Sequence, residues 1–213
     1  MKRILFLAIS LFIGSAVMAQ DYTALNPDEK NRVMETINSA AANIGTMTCD
    51  FSQIKELSLM DDNITSYGKM YFNGGNRLRW EYIKPYHYTF ILNGNSVLLI
   101  SDDKQDKIDI GTNRIFSNIA SIMMGSITGK CVQDGKEFRV SIYSSDRAYK
   151  IELTPVRKEL RQIFSKINLF FDRANSIVNR VELLENTGDR TVILLENITQ
   201  NKPIDEAVFN TGN

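Results

Sequence analysis

The feature that most constrains this chain is a change of hydrophobic period at Gly45. Before it, Val33, Met34, Ile37, Ala41 and Ile44 recur at the spacing of one helix face. After it, apolar residues alternate singly with polar ones: Met47, Cys49 and Phe51, then Gly68, Met70 and Phe72, then Leu78, Trp80 and Tyr82. A period of two sends successive side chains to opposite faces, so each run predicts a strand with one dry and one wet face. Asn73-Gly74-Gly75-Asn76 and Asn93-Gly94 separate such runs, and Asn and Gly accept the positive φ of tight hairpin turns. Further strands are expected at 88–92, 96–100, 138–143, 149–153, 163–171, 177–184 and 191–198, several joined by Ser145-Asp146, residues 172–175 and Thr187-Gly188-Asp189. Strands so closely spaced predict a mainly β antiparallel meander, long enough to curl. Its apolar face must be covered.

Two helices are expected as the cover. Asn26 suits an N-cap, with Pro27 in the first turn and Asp28 and Glu29 at the positive end of the helix dipole. In residues 114–129, Ile115, Phe116, Ile119, Ile122 and Met123 follow helical spacing and read as a lid over one mouth of the curled sheet. Residues 153–162, with Pro155, read as a loop.

The chain opens with Lys2 and Arg3, an apolar stretch from Ile4 to Ile13, and small residues leading to Ala19. That is the pattern of a secretory signal peptide cleaved after residue 19, which predicts a single exported domain over residues 20–213. Losing Lys2 and Arg3 leaves 23 basic against 25 acidic residues, a balance that offers no general attraction to nucleic acid. Cys49 and Cys131 are candidates for a disulfide in an exported chain; the sequence leaves open whether they bridge or stand as two buried thiols.

Catalytic signals are sparse. His87 is the sole histidine and sits between two tyrosines at a strand start, and the acidic pairs Asp61-Asp62 and Asp102-Asp103 fall where turns are expected. No nucleophile elbow, zinc-protease signature or phosphate-binding loop occurs, so neither an enzyme, a metal nor a cofactor is expected.

The ordered set Phe51-Ser52-Gln53-x-Lys55, Gly68-x-Met70-x-Phe72, Leu78-Arg79-Trp80-x-Tyr82-x-x-Pro85, Asn93-Gly94, Leu153-Thr154-Pro155 and Pro203-Ile204-Asp205 before Phe209 resembles the LolA-like family of periplasmic outer-membrane lipoprotein carriers. It departs from the family at Asn73-Gly74-Gly75, where proteobacterial members often carry a basic residue and a proline, and in its two cysteines. The resemblance implies an incomplete antiparallel barrel of about eleven strands with an N-terminal helix and a lid helix. Phe51, Met70, Phe72, Leu78, Trp80, Tyr82, Phe90 and Leu92 would line a cavity for acyl chains. It also implies a monomer in the periplasm of a Gram-negative bacterium. Acylated lipoprotein would be its cargo, received from an inner-membrane releasing transporter and passed to an outer-membrane acceptor. The same fold would serve for another amphiphile, such as a glycolipid or polyene lipid, or for sensing lipoproteins. Alternation itself fits a cavity wall and a filled core equally.

Overall fold

The computed structural model describes residues 21–60, 62–74, 76–101, 104–109, 124–125 and 137–210. Helix α1 (Pro27–Ala42) starts where the capping residues place it. Asn26 Oδ1 accepts from the Glu29 amide at 3.0 Å, and the Asn26 amide donates to Glu29 Oε2 at 3.0 Å. This reciprocal box satisfies two amides that the first turn leaves without helical partners. Val33 and Ile37 form the buried stripe of α1. Among the described residues no helix is long and apolar enough to cross a membrane.

The strands are β1 (Thr23–Ala24), β2 (Thr46–Glu56), β3 (Ile64–Asn73), β4 (Arg77–Lys84), β5 (Tyr88–Asn93), β6 (Ser96–Ser101), β7 (Lys104–Asp109), β8 (Phe138–Ser144), β9 (Ala148–Pro155), β10 (Phe164–Asp172), β11 (Val178–Glu185) and β12 (Arg190–Gln200). Among the described residues they form one antiparallel sheet in the order β1-β8-β9-β10-β11-β12-β2-β3-β4-β5-β6-β7. β1 and β7 are its two edges, so the sheet does not close. Two meanders, β2–β7 and β8–β12, meet where β12 runs antiparallel to β2, with Leu195 opposite Phe51 and Ile193 opposite Gln53.

The turn chemistry holds in detail. Gly94 has φ 60°, Asn76 61° and Gly188 91°, the conformations their residue types tolerate. Twelve strands form in place of the expected eleven or so. The added edges give no alternation to read: β1 is two residues long, and β7 is Lys-Gln-Asp-Lys-Ile-Asp, nearly all exposed. Charge on an edge strand blocks pairing with further chains, so its polarity suits its place. Residues 153–162 are also more ordered than a loop. β9 continues to Pro155, and a short helix α2 (Lys158–Arg161) buries Leu160.

Pairing register divides the sheet into an inner face, carrying the apolar cluster that includes Val33 and Ile37 of α1, and an outer face. The outer face carries a polar ladder on β9 to β12. Glu182, 7% exposed, accepts from Asn168 Nδ2 at 3.3 Å and Arg190 Nη2 at 2.8 Å, and pairs with Arg180. Arg190 reaches on to Glu56 of β2 at 3.0 Å. Burial pushes the Glu182 carboxyl upward, but Arg180, Asn168 and Arg190 outweigh it and hold the group below its usual range. A depressed folded-state pKa contributes stability that is present above the unfolded value and lost as pH falls through the folded one. Glu182→Gln is therefore expected to cost about 1–2 kcal/mol at neutral pH. Urea unfolding at neutral pH and at a pH below the ordinary glutamate range should show that deficit shrinking at the lower pH, as the wild-type carboxylate itself takes up a proton. A deficit equal at both pH values would refute this role.

Candidate functional site

Cross-strand pairing lays the inner face out in continuous rows. Met47, Phe72, Leu78, Leu92, Val97 and Ile108 are successive partners from β2 to β7, and Cys49, Met70, Trp80, Phe90 and Leu99 form the row beside them. In the other half, Ile142, Ile151, Leu169, Val181 and Ile193 continue the face from β8 to β12. The apolar surface thus extends over both halves of the sheet, which meet at Leu195 opposite Phe51 and at Ile193 opposite the polar Gln53.

The eight residues expected to line a cavity all belong to the first half of this face. Phe51, Met70, Phe72, Leu78, Trp80, Phe90 and Leu92 are buried, and Tyr82 is half-buried against them. Met70 and Leu78 are 0% exposed, so the wall is covered at its centre. The expected lid residues Ile115, Phe116, Ile119, Ile122 and Met123 lie outside the described residues. The neighbouring Met124 and Gly125 are helical, and Met124 packs against the apolar cluster.

A close aromatic group organises the wall. The Phe51 ring stacks on Trp80 with centroids 4.3 Å apart and meets Tyr82 edge-on at 5.1 Å. Gly68, opposite both Phe51 and Tyr82 in register, makes this possible. A Cβ there would stand 2.5 Å from Phe51 Cζ and would overlap the Glu81 carbonyl oxygen.

One polar group on this face escaped the sequence reading. Gln53 has the same parity as Cys49 and Phe51 and so points inward, and its Oε1 accepts from the Tyr82 hydroxyl at 2.9 Å. Strand parity was the available signal. Burial raises the Tyr82 pKa, against the opposing influence of Trp80 and Gln53. The Trp80 indole N–H is near enough to that hydroxyl to lower its pKa as a donor would, but the contact falls short of hydrogen-bond geometry, and the buried Nε1–H has no acceptor in such geometry among the described residues.

Cys49 is a buried free thiol opposite Met70, pushed up to about 12 by burial and then by the charge of Asp50. Such a thiol is a packing group and not a nucleophile. Cys131 lies outside the described residues. His87 is exposed in the turn between β4 and β5, and no cluster of acidic, Cys or His residues fit to hold a metal occurs among the described residues.

One end of the sheet differs from the other. The β2–β3, β4–β5 and β9–β10 connections share it, as the pairings of Lys55 with Ile64, Tyr67 with Lys84 and Phe164 with Glu185 require. They expose Leu59, Met60, Tyr86, Val156 and Ile163, with Leu59 96% exposed. The β2–β3 connection is not loosely held: Ser58 donates from its amide to Asp189 Oδ1 at 2.9 Å and from its hydroxyl to the Thr187 carbonyl at 2.9 Å. On the inner face, Tyr82, Tyr88, Gln53 and Ile193 toward this end are half-buried, whereas Met47, Phe72, Leu78 and Leu92 toward the other are sealed.

An unclosed antiparallel sheet with one largely apolar face narrows the comparison with known proteins. The profile of the family described as outer membrane lipoprotein carrier protein LolA matches residues 42–211. This chain belongs to the LolA family. The outer-membrane lipoprotein carrier protein of Azotobacter vinelandii (strain DJ / ATCC BAA-1303) is 21% identical over 187 residues, 87% of each chain. LolA proteins are carriers, not enzymes. Two solved structures share the LolA-like fold. An uncharacterized conserved protein from Thermus thermophilus aligns over 85% of this chain and 93% of its own, at TM-score 0.55 and 8% identity. MucB aligns over 87% of this chain and 63% of its own, at TM-score 0.51 and 10% identity.

Proposed function

We propose that this chain carries acylated lipoproteins through the periplasm from the inner to the outer membrane. The observation that supports the reading most is a LolA family match over residues 42–211, which carry strands β2 to β12 and their largely apolar inner face. The signal-peptide pattern of residues 1–19 agrees with an exported single domain over residues 20–213. An inner-membrane transporter that releases the cargo and an outer-membrane acceptor belong to the same proposal.

The covered wall gives binding a definite form. An acyl chain reaching Met70 or Leu78 takes the place of protein groups now packed there, an exchange of one apolar neighbour for another. Each methylene removed from water contributes roughly 0.8 kcal/mol. About ten methylenes give some 8 kcal/mol before the cost of moving the cover, near micromolar affinity at most. That strength holds a cargo and still releases it. Chains enter in this reading from the end where Tyr82, Tyr88 and Ile193 are half-buried and Leu59 and Tyr86 stand exposed.

The test is native mass spectrometry of protein isolated from its own periplasm. Acylated species bound one to one are expected. Protein recovered empty, and unable to take an acylated peptide from detergent, would remove the carrier reading. For the lid, Ile122→Asp is expected to weaken uptake of that peptide by about tenfold or more, since a carboxylate opposes burial against hydrocarbon. The far-ultraviolet signal of the sheet should be unchanged. Unaltered uptake would exclude residues 114–129 as a lid.

A further inference from the structure

The inner face carries one feature that an oily wall does not require. Trp80 is 6% exposed, and its Nε1–H has no hydrogen-bond partner among the described residues. A buried donor without an acceptor costs stability, and phenylalanine would stack on Phe51 without that cost. The donor neighbours the Tyr82 hydroxyl without the geometry of a hydrogen bond, and that hydroxyl itself donates to Gln53 Oε1 at 2.9 Å. That bond fixes the Gln53 amide so that its NH₂ group remains as a second donor. Trp80, Tyr82 and Gln53 sit on β4 and β2 where the wall passes from sealed residues to half-buried ones. An acyl chain lying along the sealed part would bring its head linkage to this point.

We propose that Trp80 and Gln53, the latter oriented by Tyr82, form a polar clip that hydrogen-bonds the ester carbonyl oxygen of a glyceryl-linked fatty acyl chain. The inference rests on the carrier reading and adds to it the feature of the cargo that is recognised. The chemistry of the group selects the ligand. Both donors are neutral, and the groups that act on the Tyr82 hydroxyl are Trp80, Gln53 and Tyr88, none of them a cation. A carboxylate or phosphate would be desolvated here without a countercharge, whereas an uncharged carbonyl needs only a donor. The ester oxygen supplies the acceptor that the indole lacks, and the aromatic stack holds the indole plane in place.

The test compares two probes on the whole mature chain: an S-dipalmitoylglyceryl cysteinyl peptide, and the S-dihexadecylglyceryl peptide in which ether oxygens replace the esters. Wild-type protein is expected to bind the ester probe about tenfold more tightly, the worth of one or two buried hydrogen bonds. Trp80 is the single tryptophan of the chain. Its emission therefore reports the contact directly and should shift to the red with the ester probe only. Trp80→Phe and Tyr82→Phe are expected to bring the two affinities together, the ester probe losing about tenfold more than the ether probe. Should Trp80→Phe fail to fold, Tyr82→Phe and Gln53→Leu decide the matter alone. Equal binding of both probes by the wild type, or a preference that survives in the variants, overturns the clip and leaves the carrier reading standing. Binding of neither probe removes the carrier reading and the clip together.

Discussion

Gly68→Ala is expected to lower stability by about 3 kcal/mol or to prevent folding altogether, although it adds a single methyl group. The added Cβ would overlap the Glu81 carbonyl oxygen and stand 2.5 Å from Phe51 Cζ and 2.6 Å from Phe51 Cε1. A flexible side chain would yield, but the first of these neighbours is the backbone of β4. Register also shifts between Tyr67 and Gly68 opposite β4, so the strands are held closely at this point. Relief requires β3 and β4 to part or the Phe51 ring to leave Trp80, and either breaks the aromatic group that organises the inner wall. Gly45→Ala is the matched control, because a Cβ there meets only Asn201 Oδ1 at 3.4 Å. Urea unfolding of both variants checks the expectation. A midpoint for Gly68→Ala within error of the control would show that the sheet accommodates the methyl and that the close approach is not a constraint.

Much of this architecture was legible because local chemistry and global fold agree. Asn26 and Glu29 announce a helix start that the capping box makes literal, and Asn93-Gly94 and Thr187-Gly188 mark turns whose glycines hold positive φ. Alternation placed Phe51, Met70, Phe72, Leu78, Trp80 and Tyr82 on one face, whereas Phe90 and Leu92 stand in a strand buried on both sides and join that face only through the family resemblance. Where alternation is silent, a strand leaves no mark in the sequence. β7 carries Ile108 as its lone half-buried residue, and β1 is too short to show a period. The α2 turn rests on one buried residue, Leu160, and a single apolar side chain among charged ones sets no pattern.

Whether the wall was open or covered was beyond the sequence for a different reason. A residue such as Met70 shows the same alternation whether its far side meets hydrocarbon, helix α1 or nothing. Only the packing of distant segments decides that, and here it leaves Met70 without exposed surface. Gln53 and Tyr82 illustrate the converse. Tyr82 alternates with its neighbours and Gln53 shares the parity of Cys49 and Phe51, yet their meeting depends on β2 and β4 flanking β3, a neighbour relation that the turns imply but that no short motif displays.

The outer face of the same strands sets the second large expectation. Phe209→Ala should cost about 3–5 kcal/mol, the loss usual for a fully buried phenylalanine. Phe209 is 1% exposed at the end of a short 3₁₀ turn (Glu206–Phe209) that Asp205 caps through the Ala207 amide at 2.9 Å. The turn packs on β4 and β5. Asn93 Nδ2 donates to the Phe209 carbonyl at 3.1 Å, and the Arg77 guanidinium lies over the ring at 5.4 Å. Arg77 also pairs with Glu206, but that carboxylate is well exposed, so Glu206→Ala should cost less than about 1 kcal/mol. The contrast separates ring burial from surface charge, and a Phe209→Ala loss no larger than that of Glu206→Ala would show the segment to be lightly held. The effect should also reach the inner face. β4 and β5 bear Leu78, Trp80, Phe90 and Leu92 on the side opposite the turn, so loosening their back surface loosens the wall itself. A Phe209→Ala protein that remains folded at low temperature is therefore expected to show broadened Trp80 emission even without cargo, as the stack on Phe51 gains freedom.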